Sequence, residues 1–396
     1  MRKFGLLPRI IIAIILGIIA GTFLPEIAIR VFATFNSLFG NFLGFAIPLI
    51  IIGFIAPGIG SMGKGAGKML GITTGLAYIS TIAAGILAYI AASSLYPMML
   101  KNQSFTQFDN PEEALLEPIF TVEMAPIMGV MTALLIAFTL GLGLASIKGS
   151  TLQNALNDFQ AIVEKLIEKI IIPLLPIHIF GIFSNMTQGG QIGTIMSVFA
   201  KVFIMIIALH LIILFIQYTA AGTAAKRNPF IMIKQMLPAY FTALGTQSSA
   251  STIPVTLKQV KKIGAREQTA DFSVPLLATI HLSGSTITIV SCAIAVIMLQ
   301  GQSISFIEIL PFILMLGVTM IAAPGVPGGA VMAALGLLES MLGFDATMIA
   351  LMIALYLTQD SFGTACNVTG DGALTVLADK FSGKSAKKNS IDSQSA

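Results

Sequence analysis

The sequence predicts an all-α membrane protein with eight transmembrane helices and two re-entrant helical hairpins. Of its 396 residues, 56% are hydrophobic and only 10% are charged, whereas soluble domains carry about 25% charged residues. The mean hydropathy of +0.91 agrees with that class. Long apolar runs recur along the chain, several exceeding the roughly 20 residues that span the hydrocarbon. Polar breaks inside some of these runs indicate hairpins.

Apolar runs provide the predicted helices. They lie at about 8–30, 32–59, 68–99, 125–147, 170–184, 192–222, 269–299, 306–338 and 344–378. The run at 306–338 is assigned to a hairpin, which leaves eight spans.

Two segments predict the hairpins. The stretch at about 230–262 is broken at 245–254, and the stretch at about 306–344 is broken at 322–329, both by Ser-, Gly- and Pro-rich sequence. Non-helical backbone at membrane depth persists only when it is buried in protein or lines water. One hairpin enters from each side with a span between them, which predicts an inverted repeat around a site at the midplane.

The span between the hairpins carries a third break, at 281–285. Unwound turns of this kind expose carbonyl oxygens that suit Na⁺, and the half-helix N-terminus offers N–H groups to carboxylates. The alternative is a kinked helix with a packing glycine.

A polar stripe lies in the last apolar run. Asp360, Thr364, Asn367 and Asp371 share one helical face, because offsets of four, seven and eleven residues return to nearly the same angle. An ionised Asp at mid-bilayer costs about 2.5–3.5 kcal/mol on insertion scales. We therefore predict a hydrated site for a cation or a zwitterion, the alternative being buried polar contacts between helices.

The distribution of basic residues predicts the orientation. With the N-terminus in the cytoplasm, alternation of the spans places the basic loops and the basic tail on that same side, as the positive-inside rule requires. The acidic loop at 109–123 falls on the opposite side. The prediction is a multi-pass membrane protein with both termini cytoplasmic. The net charge of +4 follows from this pattern and needs no nucleic-acid partner.

Three motifs resemble one family. QSSASTIP at 247–254, GVPGGA at 325–330 and NVTGD at 367–371 are similar to the two hairpin tips and the last-helix signature of the dicarboxylate/amino acid:cation symporters, or glutamate transporter homologues. The order of residues in the last helix most resembles the bacterial sodium/serine-threonine symporter branch, and this resemblance implies a bacterial inner (plasma) membrane as the location.

The resemblance implies a homotrimer in which a scaffold holds a transport domain that moves through the bilayer like an elevator. The implied segments are scaffold and trimerisation at 1–66 and 100–190, transport domain at 67–99 and 191–382, and a disordered cytoplasmic tail at 383–396.

The resemblance also implies residue roles. Asp360 takes the substrate ammonium, Asn367 takes its α-carboxylate, and the first tip adds carboxylate contacts. The full substrate set is Ser248, Ser249, Ser285, Val326, Ala330, Asp360, Gly363, Thr364 and Asn367. One Na⁺ is held by Asp371 with the carbonyls of Leu277, His281 and Asn367, and a second lies near Thr279, Met320, Ile321 and Ala323.

The chain departs from the family where acidic substrates are recognised. Gly363 and Gln247 stand where acidic-substrate members have arginine, and Ser285 stands where they have threonine. A second substrate carboxylate would be buried without a cationic partner, at a cost of several kcal/mol. The predicted substrate is therefore a neutral amino acid such as serine, threonine or alanine, with a larger one such as cystine left open.

The third Na⁺ site of the family is predicted to be absent. The family motif Asn-Met-Asp-Gly-Thr is replaced by HLSGS at 281–285, and an ungapped alignment puts Thr73, Leu76 and Ala77 at the third-span positions. Fewer Na⁺ ions should therefore be coupled. His281 offers H⁺ as an alternative coupling ion, since histidine titrates near physiological pH, although a neutral histidine with a structural hydrogen bond is the favoured interpretation.

Other functional classes are weaker. The sequence contains no His-Glu-x-x-His, Gly-x-Ser-x-Gly or Cys-x-x-Cys motif, so we predict that it is not an enzyme. Two alternatives stay open: a proton-coupled or exchange-type carrier of a larger amino acid, and an anion or cation channel. Saturable uptake with substrate counterflow would separate a carrier from a pore.

Overall fold

The computed structural model describes residues 6–62, 67–99, 116–147, 149–190, 192–323 and 328–392, and these ranges contain helices and connecting turns without a β-strand. The prediction of an all-α protein is confirmed for this part of the chain. The helices are α1 (Leu6–Phe23), α2 (Glu26–Met62), α3 (Gly67–Met99), α4 (Val130–Ser146), α5 (Thr151–Leu166), α6 (Ile172–Gln188), α7 (Ile192–Ala225), α8 (Pro229–Thr246), α9 (Ser249–Lys262), α10 (Glu267–Ile280), α11 (Ser283–Leu299), α12 (Phe306–Ile321), α13 (Gly329–Leu342) and α14 (Ala346–Asp392).

Six helical segments in the described part are long and apolar enough to cross a membrane. They are Glu26–Gly60, Met69–Met99, Thr151–Gln188, Met196–Ala225, Glu267–Leu299 and Ala346–Ser382. The apolar parts of α1 and α4, Pro8–Phe23 and Leu135–Ser146, are shorter. Length and composition thus support six spans, and the count of eight stays a prediction.

The helices pack in two groups. In the first, α2 lies along α4 and α1 lies along α6, with α5 against α2. The second contains α3 and α7 to α14, and α14 is at its centre, where it contacts α11, α7, α8 and α3. The two groups meet mainly where α13 and α14 contact α1, α2 and α6.

α8 and α9 form a helical pair that reverses within two residues. Asn228 caps α8, its side-chain oxygen accepting from the backbone N–H of Phe230 at 2.9 Å. After Thr246, Gln247 adopts a left-handed conformation (φ 54°), and Ser248 then caps α9. With 18 and 14 residues, the arms are about 27 and 21 Å long, shorter than a hydrocarbon core of about 30 Å.

α12 and α13 form the second pair. Ser305 and Glu308 make a capping box that starts α12, and Gly328 leads into α13 with φ 76°. The arms of 16 and 14 residues are about 24 and 21 Å long. Residues 324–327, including the predicted substrate residue Val326, lie outside the described residues.

The break between α10 and α11 covers two residues. α10 ends at Ile280, and His281 and Leu282 have non-helical dihedrals before α11 begins at Ser283. The N–H of His281 still bonds the carbonyl of Leu277 at 2.9 Å. The sequence-predicted interruption at 281–285 is therefore present but shorter, because Ser283, Gly284 and Ser285 already belong to α11.

Close approach of α11 to α14 depends on Gly284. A Cβ at this position would lie 2.6 Å from both the carbonyl oxygen of Gly363 and the Cβ of Cys366. Both contacting atoms belong to rigid parts of a buried helix, so neither can move aside cheaply. The missing side chain lets the start of α11 rest directly on α14.

We expect Gly284→Ala to destabilise the fold by about 1–3 kcal/mol, the usual cost of overpacking a core. The measurement is thermal unfolding of the purified protein in detergent. Gly75→Ala is the matched control, because a Cβ there meets no atom within 4 Å and alanine is the better helix former. Equal melting temperatures for Gly284→Ala and the wild type would contradict this account of the packing.

Candidate substrate and cation site

The site lies where the α10–α11 break meets the middle of α14. Asn367 of α14 holds the turn: its Oδ1 accepts from the N–H of Gly284 at 2.7 Å and from that of Ser285 at 3.3 Å. Its Nδ2 donates to Ser285 Oγ at 2.9 Å. The first N–H groups of a helix have no intrahelical partner, so Asn367 satisfies two of those at the start of α11. This amide therefore fixes α10 and α11, which together form the broken span, against α14.

A cavity opens beside this turn. Its described lining residues come from both helical pairs, from the broken span and from α14: Gln247, Ser249, Ala278, Thr279, Leu282, Ser285, Ala323, Ala330, Tyr356, Asp360, Thr364 and Asn367. Most of these residues bear hydroxyl, amide or carboxyl groups, although they lie within an apolar bundle. The free volume is only about 20 Å³, but polar groups that converge within an apolar surrounding are a feature of small-molecule sites.

Asp360 supplies the only carboxylate among the described lining residues, and none of those residues is lysine, arginine or histidine. The side chain is 6% exposed. Its Oδ2 accepts from the N–H of Gly328 at 2.7 Å, which ties the second helical pair to α14. The cavity therefore has acidic character and is closed on one side by this hydrogen bond.

The structure brings six of the nine sequence-predicted substrate residues to the cavity wall: Ser249, Ser285, Ala330, Asp360, Thr364 and Asn367. Ser248 is instead an N-cap, its hydroxyl accepting from the N–H of Ser251 at 3.3 Å. Gly363 is not among the described lining residues. A Cβ on Gly363 would meet the backbone nitrogen of Ser285 at 3.5 Å, an ordinary contact.

The residues predicted for the second Na⁺ come together only in part. Thr279 and Ala323 line the same cavity. Met320 is fully buried in the main core, and its carbonyl accepts from the N–H of Ala323 at 3.4 Å. Ile321 packs against a small apolar cluster that contains Leu277.

Asp371 contacts His281 in the region predicted for the first Na⁺. Asp371 Oδ1 and His281 Nδ1 are 2.8 Å apart, and the two side chains are 1% and 0% exposed. His281 belongs to the α10–α11 break and Asp371 to α14, so this contact is a second link between the broken span and that helix. Sequence reasoning assigned the backbone carbonyl of His281 to Na⁺ and did not pair its ring with Asp371.

Two residues that the sequence did not single out extend this contact. Ser80 Oγ lies 3.0 Å from His281 Nε2, and Gln217 Nε2 donates to Ser80 Oγ at 2.9 Å and to Ser283 Oγ at 3.1 Å. When Ser80 directs its hydroxyl hydrogen to His281 Nε2, Nδ1 carries the ring hydrogen and donates to Asp371. A neutral imidazole satisfies this whole chain of hydrogen bonds.

The third-span residue beside His281 is Ser80, one helical turn beyond the positions given by the ungapped alignment. Thr73 Oγ1 is 3.3 Å from Ser273 Oγ of α10, and Ala77 lies in the small apolar cluster with Leu277. The assignment of Thr73, Leu76 and Ala77 to the third-span positions stays a prediction.

Two further side chains support the site from α7. His210 Nε2 lies 3.0 Å from the carbonyl oxygen of Gly284, and the Tyr218 hydroxyl donates to the carbonyl of Thr369 at 2.6 Å. Both are buried. They hold the backbone near the site and do not line the cavity.

Buried carboxylates beside an unwound span, at the centre of an apolar helical bundle, define a membrane transport protein. The chain belongs to the sodium:dicarboxylate symporter family, whose model matches residues 6–381. This confirms the resemblance predicted from the motifs and the prediction that the chain is not an enzyme, because the family consists of transporters.

Individual relatives carry a more specific name. The serine/threonine transporter SstT of Streptococcus suis is 26% identical over 340 residues, which cover 84% of this chain and 94% of that protein. The protein of the same name from Acinetobacter baumannii is 25% identical over 391 residues, covering 95% of this chain and 97% of its own. The similarity thus extends over nearly the whole chain.

Proposed function

We propose that this protein imports a neutral amino acid of the serine, threonine or alanine kind together with Na⁺. The observation that carries the proposal is the composition of the cavity wall, with the single carboxylate of Asp360 and no basic side chain among the described lining residues. Such a wall can pair with one ammonium and offers no partner to a side-chain carboxylate. The name of the relatives, serine/threonine transporter, supports the first two of these substrates.

In this proposal Asp360 binds the substrate ammonium and the opposite wall binds the α-carboxylate. Asn367 Nδ2 donates one hydrogen to Ser285 Oγ, which leaves its second amide hydrogen for the substrate. The hydroxyl of Ser249 lies in the same wall. Thr364, one turn from Asp360 on α14, is suited to a small hydroxyl-bearing side chain.

For Na⁺, we propose a site at Asp371 with the carbonyls of Leu277, His281 and Asn367, and a second site near Thr279 and Ala323. A third site is not included, because Ser283 and His281 replace the acid and amide of the family motif. Each Na⁺ that is not carried inward lowers the free energy available for substrate accumulation by about 2.3 kcal/mol per 100 mV of membrane potential. The carrier should therefore reach a smaller ratio of internal to external substrate than carriers that couple three Na⁺ ions.

We further propose that the two packing groups are the scaffold and the moving transport domain of a trimeric elevator. The division at 1–66, 67–99, 100–190 and 191–382 is supported by the preference of α1, α2, α4, α5 and α6 for one another. Cytoplasmic termini are supported by the basic connections, since Lys226, Arg227 and Arg266 then share the side of the tail.

Uptake of radiolabelled amino acids into proteoliposomes tests the proposed function. Na⁺ and H⁺ gradients are imposed separately over a panel of neutral and acidic amino acids, and counterflow is measured. We expect saturable, Na⁺-driven uptake of serine with counterflow. Uptake driven by a pH gradient alone would favour H⁺ coupling through His281, cystine as the best substrate would favour the exchange-type alternative, and non-saturable flux would indicate a channel.

Gly363→Arg is expected to convert the selectivity of the carrier. The new Cβ fits against α11, and residues three apart on a helix are neighbours, so the guanidinium can reach the surroundings of Asp360. The arginine would then pair with Asp360 in place of the substrate ammonium. A hydrogen bond to a charged group contributes about 1.5–3 kcal/mol, so loss of the bond between Asp360 and the ammonium should lower serine uptake by roughly 10- to 150-fold. Aspartate should become a competitor, as measured by inhibition of residual uptake.

Gly363→Ala is the matched control, because its Cβ makes only ordinary contacts and adds no charge. It should transport serine at nearly the wild-type rate. Strong aspartate uptake by the wild type would contradict the role assigned to this glycine, as would an arginine variant with unchanged selectivity.

A further inference from the structure

A second pocket lies at the end of α7, where the chain turns into α8 and approaches the last turn of α9. Its described lining residues are Arg227, Asn228, Ile231, Met232, Gln235, Lys262 and Ile263. None of them lines the cavity around Asp360. The proposed transport cycle assigns no role to this pocket.

The guanidinium of Arg227 is fixed in place. Its NH1 donates to the carbonyl of Ile263 at 2.7 Å, and its backbone N–H bonds the carbonyl of Gly222 at 2.8 Å. Gly264, with φ 92°, lies so close to the guanidinium that any side chain there would collide with it. The bond to Ile263 thus holds the guanidinium at the pocket, and part of its side-chain entropy is lost before an anion binds.

The cations of the pocket have no acidic partner within the described residues. Lys261 pairs with Glu267 at 2.8 Å and with Asp271 at 2.9 Å, but no described carboxylate comes within 4.0 Å of Arg227 or Lys262. The acids of this region are therefore committed to Lys261. Two positive charges remain for an external anion.

The pocket continues into an apolar surface. Ile231, which lines it, is 56% exposed, and the neighbouring Phe230 is 67% exposed. The ring of Phe230 lies 5.6 Å from that of Phe215 on α7, and α7 is one of the candidate spans, with its end at Ala225. The charges of Arg227 and Lys262 therefore lie next to exposed apolar side chains at the end of a membrane span. Lipid headgroups lie at this level of a bilayer.

We propose that this pocket binds the phosphate of an anionic phospholipid, whose acyl chains lie against the exposed apolar side chains of α7 and α8. Arginine matches phosphate geometry with two parallel N–H groups, and basic pockets at membrane surfaces select anionic headgroups. Asn228 already accepts from the first N–H groups of α8, so recognition rests on the two side-chain charges. A zwitterionic lipid would bring a choline or ethanolamine cation to the same charges and bind less well.

Native mass spectrometry of the purified full chain tests this site. The protein is exchanged into micelles with equal amounts of phosphatidylglycerol and phosphatidylcholine, and the retained lipids are counted. We expect the wild type to retain phosphatidylglycerol preferentially and Arg227→Gln/Lys262→Gln to retain at least tenfold less. Lys165→Gln/Lys380→Gln removes the same charge from two exposed positions outside the pocket and should match the wild type.

The single variant Lys262→Gln keeps the bond from Arg227 to Ile263, so it remains informative if the double variant fails to fold. It should show an intermediate loss of phosphatidylglycerol. Equal retention by Lys262→Gln and the wild type would overturn the proposal, and so would displacement of the lipid by millimolar inorganic phosphate, which would indicate a soluble anion as the ligand. Lipid retention is read without transport, so its failure is separate from failure of the proposed function.

Discussion

Asp360→Asn is expected to abolish uptake of neutral amino acids while the protein stays folded. Asparagine has nearly the same shape, and its Oδ1 can still accept from the N–H of Gly328, so the contact between α13 and α14 is kept. What is lost is the negative charge for the substrate ammonium. Removing one partner of a buried, hydrogen-bonded charge pair costs about 2–5 kcal/mol, which corresponds to roughly 30- to 4,000-fold in affinity.

The concentration dependence of serine uptake in proteoliposomes measures this loss, and Asp345→Asn is the matched control. Asp345 Oδ1 accepts from the N–H of Met348 at the start of α14, and asparagine caps a helix about as well as aspartate. The control removes one charge near the same helix and should leave uptake unchanged. Near-normal serine affinity in Asp360→Asn would mean that the ammonium binds elsewhere.

Asp371→Asn is expected to raise the Na⁺ concentration needed for half-maximal uptake by at least tenfold. An amide oxygen can still accept from Nδ1 of the buried His281, so the hydrogen-bond chain through Ser80 and Gln217 survives. The proposed cation site, however, loses its only charged ligand and keeps only neutral oxygens. A tenfold change is about 1.4 kcal/mol, a modest fraction of the Coulomb energy between a cation and a carboxylate in a protein interior.

Asp379→Asn provides the comparison for this measurement. Asp379 lies two turns further along α14, where its Oδ1 accepts from Arg266 Nε at 2.6 Å and from Thr269 Oγ1 at 2.7 Å. Its replacement should weaken the contact between α14 and the start of α10 without changing the Na⁺ dependence. Identical Na⁺ curves for Asp371→Asn and the wild type would remove Asp371 from the cation site.

The parts of the site that follow local periodicity were predictable from the sequence. Asp360, Thr364 and Asn367 share a helical stripe, and the stripe alone indicated that they face one site. The break at His281 was visible because polar and small residues interrupt an apolar run. Local chemistry of this kind needs no knowledge of how distant helices pack.

The support from α3 and α7 was not predictable in the same way. Ser80 contacts His281, and Gln217 contacts Ser80 and Ser283, from helices far away in sequence. Nothing in their own segments marks these two residues, since isolated polar residues occur on many apolar helices. α3 is apolar or small around most of its circumference, so the hydrophobic pattern does not fix which turn faces α10. The contact of Ser80 with His281 therefore becomes visible only once the packing of α3 is known.

The hydrogen bond from Gly328 to Asp360 bears on whether the carrier can complete its cycle without cargo. A carboxylate enclosed without a partner is penalised by several kcal/mol, and an empty binding site that closes would incur that penalty on every return. Here one backbone N–H of the second helical pair donates to Asp360, and such a bond offsets part of that penalty. In the proposed cycle this contact would help the unloaded carrier to close over its site, and it would favour net accumulation of substrate over obligatory one-for-one exchange.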